Sequence, residues 1–267
     1  ESMAWRVVGL IETQLSSSHE SSDSAKAELK AVEEYAAECS MVKVFAAEML
    51  DYVADEGVQI HGGYGFHQDY AVERAYRDAR INRLFEGTSE INRLVISGMP
   101  IKRATRGLLP LLEAAQEELR NLGAPQDSAK GDQEMRLVQN ARRIALLALG
   151  IAHQKYGAEL EKQQEVIMGL SDLFMETFAM ESTLLRCSKL ASAGKTLTKE
   201  ICSIFLRDAM ARIEAVARTV LGGCSSGDQL RQQVAALRAL TEYEPVNTIA
   251  LRRRIAEELL SRERYIF

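Results

Sequence analysis

The chain has 267 residues, of which 46% are hydrophobic and 27% charged, enough apolar material for a sizeable core and too much for intrinsic disorder. Its length fits one large domain or two modest ones, and two is the starting expectation. A net charge of −5 and a pI near 5.6 give no global attraction to nucleic-acid phosphates or anionic lipid.

In chain order, Glu1-Ser2-Met3-Ala4-Trp5 has no initiator Met and no signal-peptide pattern. It passes straight into a helical pattern of Trp5, Val8, Ile11 and Leu15 with no cap before it, which reads as a fragment of a longer chain. The polar stretch Ser16–Ser24 is expected to be a loop. A long second helix then carries Leu29, Val32, Ala36, Met41, Val44, Phe45, Met49 and Val53 on a repeating face, which is assigned to the core. It must break at Gly62-Gly63-Tyr64-Gly65, where glycine allows backbone dihedrals closed to other residues.

A short helix over about Tyr70–Asn82 follows. Next comes Phe85-Glu86-Gly87-Thr88-Ser89, in which Thr88 or Ser89 can cap a helix through Ile91, Leu94 and Val95 that Gly98 and Pro100 loosen at its end. Beyond Arg106 the glycine-rich turns give way to amphipathic helices at about 108–122, 134–162, 165–193, 197–221 and 246–264, with a loop over 123–132. No alternating strand pattern occurs, so the chain reads as all-α: a helical domain over 1–104 and a second helical bundle over 105–267. No apolar run is long enough to span a bilayer, which points to a soluble protein inside the cell.

For chemistry, the glycine cluster follows a helix and not a strand, so it is neither a Rossmann nor a P-loop fingerprint. A lone glutamate beside a glycine usually sits in solvent, yet Leu84 and Phe85 give Glu86 the apolar neighbours of a working base. His61 and His67 have no second ligand pair, so no metal is expected. Cys39, Cys187, Cys202 and Cys224 lie far apart without a CxxC pair and read as reduced core thiols. Arg77, Asp78 and Arg80 read as helix-to-helix ion pairs. Arg252–Arg254, Arg262 and Arg264 read as a solvated face.

Taken together, Gln59 through Arg93, with Val72-Glu73-Arg74-Ala75-Tyr76-Arg77-Asp78-Ala79-Arg80-Ile81 between the glycine turn and Glu86, resembles the C-terminal signature of acyl-CoA dehydrogenases. The resemblance implies an incomplete four-helix-bundle-type C-terminal domain. In it Glu86 removes the α-proton of an acyl-CoA thioester while the β-hydrogen leaves as hydride to FAD, giving a trans-2-enoyl-CoA. It further implies that Gln59, Gly62 and Gly63 touch the FAD of a neighbouring subunit, and that Thr88 and Glu90 lie at its adenosine portion. Many relatives carry Gln where this chain has Glu90, and a carboxylate accepts hydrogen bonds but does not donate them.

Family members open this domain with an FAD-binding arginine and Phe-Gly pattern that does not precede Trp5 here, so the fragment alone is expected to bind FAD poorly and to be inactive. The helices after Thr105 resemble the very-long-chain branch. They imply a homodimer that oxidises long acyl-CoA in fatty-acid β-oxidation and passes electrons to an electron-transfer flavoprotein, cytoplasmic in a bacterium and mitochondrial in a eukaryote. The rival reading is a non-catalytic helical oligomerisation or interaction module.

Overall fold

The computed structural model describes residues 1–17, 24–122, 132–194 and 197–264. Among them the backbone forms eleven α-helices, two 3-10 turns and no strand, so the all-α expectation holds. The helices are α1 (Ser2–Ser17), α2 (Ser24–Glu34), α3 (Ala36–His61), α4 (Ala71–Ile81), α5 (Ser89–Thr105), α6 (Leu111–Arg120), α7 (Gln133–Tyr156), α8 (Gln164–Ser192), α9 (Thr198–Cys224), α10 (Gly227–Thr241) and α11 (Thr248–Arg262). None is long and apolar enough to cross a membrane.

Four expectations are corrected. The long second helix is two, divided at Tyr35 (φ −103°, ψ 22°). α5 runs through Gly98 and Pro100 to Thr105, because burial of Ile96, Ser97 and Ile101 outweighs the one backbone bond that proline removes. α7 stops at Tyr156, where Gly157 turns left-handed (φ 51°) and a 3-10 turn takes over to Lys162. α10 was absent from the sequence pattern as read. The greater part of the two expected loops, residues 18–23 and 123–131, lies outside the described residues.

The chain groups into two compact units, Val7–Pro100 and a second comprising Glu1–Arg6 with Ile101–Phe267. In the first, α3 packs against α2, α4 and the 3-10 turn Gly62–Phe66, and its buried face is made mostly of small residues: Ala37, Ser40, Met41, Val44, Ala47 and Ala54. A Cβ on Gly57 would lie 3.1 Å from Val72 Cγ2, so α4 crosses α3 with little room to spare. Two ion pairs tie later segments back to α3: Arg83 Nη1 to Asp51 at 2.9 Å, and a two-pronged Arg93–Glu48 pair at 2.6 and 3.0 Å. The face expected to be core is only partly so. Met41 and Val44 are buried, whereas Leu29 is 69% exposed, Val53 55%, and Val32 and Met49 about as open.

The second unit is built around α7, α8 and α9. Ile144, Leu149, Leu170, Leu173, Met180, Leu206, Met210 and Ile213 are sealed from solvent, each side chain contributing roughly 1.5–3 kcal/mol by burial. α6 lies so close on α7 that a Cβ on Gly150 would sit 2.6 Å from the Ala115 carbonyl oxygen. Arg212 grips Glu176 with two hydrogen bonds, 2.6 and 3.0 Å, joining α9 to α8. The basic cluster of α11 is not simply solvated: Arg252 pairs with Asp208 and Arg254 with Glu200, both on α9.

Candidate functional site

α3 ends because Gly62 takes φ 62°, its N–H closing onto the Gln59 carbonyl. The 3-10 turn that follows depends on Gly65: a Cβ there would lie 2.6 Å from the Val58 carbonyl oxygen and 2.9 Å from His61 Cβ. Gln59, Gly62 and Gly63 are all exposed, and among the described residues nothing lies within 4 Å of a Cβ built on either glycine. The turn therefore presents bare backbone to open space, flanked by Ile60, Tyr64 and Phe66, of which Ile60 and Phe66 are about four-fifths exposed. His61 donates through Nδ1 to the Gly57 carbonyl at 2.8 Å, and His67 faces Asp69 at 3.4 Å. Both histidines have local structural partners.

After α4 the chain folds into a tight loop. Leu84 and Phe85 N–H groups both return to the Ile81 carbonyl, at 2.9 and 3.2 Å, and Ser89 N–H closes the loop onto the Arg83 carbonyl at 3.1 Å. Glu86 has φ 54° and Gly87 φ 81°. A left-handed glutamate is uncommon and costs on the order of 1–3 kcal/mol unless its surroundings fix it. Here they do: the Gly87 carbonyl accepts from Lys43 Nζ at 2.6 Å and Asn92 Nδ2 at 2.9 Å. The result is a carboxylate in solvent, on a fixed backbone, between half-exposed Leu84 and Phe85. Such a group can accept a proton from a molecule laid against those apolar side chains.

Thr88 caps α5, its Oγ1 accepting from Ile91 N–H at 3.2 Å. The neighbouring Glu90 carboxylate folds back onto its own N–H and takes the Thr88 hydroxyl, which together hold its pKa below the ordinary value. Ser89 is buried and its hydroxyl finds no partner among the described residues.

The expected site residues thus fall into two groups. Glu86 and Thr88 in the loop after α4 and Glu90 in the first turn of α5 stand together, while Gln59, Gly62 and Gly63 sit before the start of α4. The two are attached to opposite ends of an eleven-residue helix, about 16 Å long at 1.5 Å per residue. Arg77 pairs with Glu73 on its own helix, not between helices. Sequence reasoning missed Lys43 and Asn92, which hold the loop. Lys43 lies 44 positions before Gly87, and its only signal is a cation two residues from buried Met41 on a face of small residues.

Residues 5–98 match a family described as "Acyl-CoA dehydrogenase, C-terminal domain", and residues 140–239 match a second family with the same description. A probable acyl-CoA dehydrogenase of Bacillus subtilis is 45% identical over 275 residues, covering 99% of this chain and 46% of that protein. The caffeyl-CoA reductase-Etf complex subunit CarC of Acetobacterium woodii is 48% identical over 66 residues, 25% of this chain and 17% of that one. The crystal structure of an acyl-CoA dehydrogenase complexed with FAD, from Bacillus anthracis, superposes with a TM-score of 0.94 at 43% identity, covering 100% of this chain and 47% of that one. The chain spans about half the length of the relatives it matches along its whole extent. By sequence and by fold, it belongs to the acyl-CoA dehydrogenase family, with its two helical segments corresponding to that family's C-terminal domains.

Proposed function

We propose that the full-length protein carrying this chain is an FAD-dependent acyl-CoA dehydrogenase, an oxidoreductase in which Glu86 removes the α-proton of an acyl-CoA thioester. The observation that carries this reading is the Glu86 loop: an exposed carboxylate in a left-handed backbone, fixed through Gly87 by Lys43 and Asn92, with Leu84 and Phe85 beside it. A thioester α-proton is weakly acidic, so its base must be held in place before the substrate arrives and kept from water when it acts. The loop supplies the first condition, and its apolar flanks fit the second once a substrate covers them.

FAD, when bound, supplies the acceptor for the β-hydrogen, and trans-2-enoyl-CoA is the product. Gln59, Gly62 and Gly63 fit such a group well, since bare backbone with open space above it admits close approach of a flat ring or a phosphate. Thr88 and Glu90 fit it less freely, because they already satisfy each other. Any contact there falls to the Glu90 carboxylate as acceptor. Two cofactor-facing groups at opposite ends of α4 suit a dimer in which the glycine turn serves the partner's FAD.

In the finer reading, residues 1–104 are the catalytic helical domain and 105–267 an appended one, as in the very-long-chain branch. The substrate is then a long-chain acyl-CoA of fatty-acid β-oxidation, and the electrons pass to an electron-transfer flavoprotein. Support comes from the sealed core around α7–α9, which gives the second segment a structure of its own. The test is turnover of palmitoyl-CoA by the full-length holoenzyme with an artificial electron acceptor. Glu86→Gln is expected to lower the rate by about a thousandfold, within the range for loss of a general base, with flavin still bound. A near-wild-type rate would remove Glu86 as the base. A full-length protein that binds no flavin and turns nothing over would favour a helical interaction module instead.

A further inference from the structure

Two of the four cysteines, read from the sequence as separate core thiols, meet in the fold. Cys187 lies five residues before the end of α8, and Cys202 is the fifth residue of α9. α8 and α9 are neighbours in the chain and pack on each other, so the last turn of one and the first turns of the other come side by side. The two side chains lie close enough to influence each other's ionisation. They also line the same cavity of about 250 Å³, together with Asp132, Glu134, Ser188 and Lys199.

The pair is asymmetric in the way a reactive thiol and its resolving partner are. Cys202 is 3% exposed, whereas Cys187 is only half-buried. The Cys202 S–H and then the Arg186 charge pull the Cys187 thiol below its ordinary pKa, against the opposing pull of burial. The same interaction with Cys187, together with burial, pushes Cys202 up. Cys39 and Cys224 differ, since burial pushes both thiols up. Thiolate character together with access from solvent sets which cysteine is oxidised first.

We propose that Cys187 and Cys202 are a redox modification site, at which hydrogen peroxide converts the pair into a reversible disulfide bridging α8 and α9. The Cys187 thiolate attacks one peroxide oxygen. An S–O bond forms, the O–O bond breaks, and the departing hydroxide takes a proton to leave as water. The Cys202 sulfur then attacks the Cys187 sulfenic acid. The S–S bond forms as the S–O bond breaks, and the second hydroxide leaves as water with the Cys202 proton. The thiol pair loses two electrons and the peroxide gains them; a dithiol reductant reverses the change.

The test is peptide mapping of the full-length protein, reduced, exposed to an equivalent of hydrogen peroxide, alkylated and digested. Free thiol at Cys187 and Cys202 is expected to fall together by about tenfold or more, with Cys39 and Cys224 changing less than about twofold. A single cross-linked species joining the two peptides should appear and vanish with dithiothreitol. In Cys202→Ser the bridge cannot form, and a sulfenic acid at Cys187 should be trapped by dimedone. Cys224→Ser should behave as wild type. The wild-type mapping stands whether or not either variant folds. Equal labelling of all four cysteines after peroxide, or a bridge from Cys187 to any residue but Cys202, would overturn the proposal.

Discussion

The two units solve the problem of burying apolar surface in opposite ways. Around α7–α9 the large side chains point inward, and Leu170, Leu173, Met180 and Leu206 see no solvent. In Val7–Pro100 the inward face of α3 is made mostly of small residues, and the large ones point outward: Met49, Leu50, Tyr52, Val53 and Ile60 on α3, then Tyr64 and Phe66 on the turn. Close helix packing on small residues holds that unit's shape, with the Arg83–Asp51 and Arg93–Glu48 pairs closing it. Its exterior is rich in exposed large apolar side chains, the kind of surface that meets other molecules. The unit that carries Glu86 is therefore the one whose large side chains are free to meet other molecules, and the unit with the sealed core carries none of the expected site residues.

Substitutions can break this contrast, and the effects on urea unfolding of the 267-residue chain should fall in order. Leu206→Ala, at a position with no exposed surface, should cost the most, about 2–5 kcal/mol through lost burial and a cavity. Gly150→Ala forces α6 off α7, since its Cβ would sit 2.6 Å from the Ala115 carbonyl oxygen; about 1–3 kcal/mol is expected. Lys43→Met removes one of two donors to the Gly87 carbonyl. Its stability cost should be about 1 kcal/mol or less, while kcat of the full-length enzyme falls on the order of tenfold as the base loses its fixed position. Ile60→Ser, at the most exposed large apolar side chain of α3, should change stability by no more than about 0.5 kcal/mol. A loss as large as that of Leu206→Ala would mean that this face is already covered and that the contrast is wrong.

Much of the fold was legible because helices announce themselves by period, and the glycine turn and the capped α5 were placed from a few residues. Four things were not. Periodicity put Leu29, Val32, Met49 and Val53 on one face, but it cannot say whether anything covers that face, and in this chain nothing described does. α10 had its signal in Gln233, Leu237 and Leu240, buried at helical spacing, yet it falls between the expected helices 197–221 and 246–264, where no helix was assigned. α9 in fact continues to Cys224. At the site, the motif picked out Glu86, but its left-handed backbone and the hold of Lys43 depend on a contact across 44 residues. The meeting of Cys187 and Cys202 is hidden for the same reason, since two helices must pack before residues fifteen positions apart share one cavity wall.

The central claim is that Glu86 is the base, and the most direct measurement isolates the step it performs. The full-length Glu86→Gln holoenzyme is mixed with excess long-chain acyl-CoA in a stopped-flow instrument, and bleaching of the flavin band is followed through a single turnover. Flavin is expected to be bound as in wild type and bleaching to be slowed by about a thousandfold or more, as loss of the positioned base requires. Bleaching within about tenfold of wild type, with flavin fully bound, would contradict it.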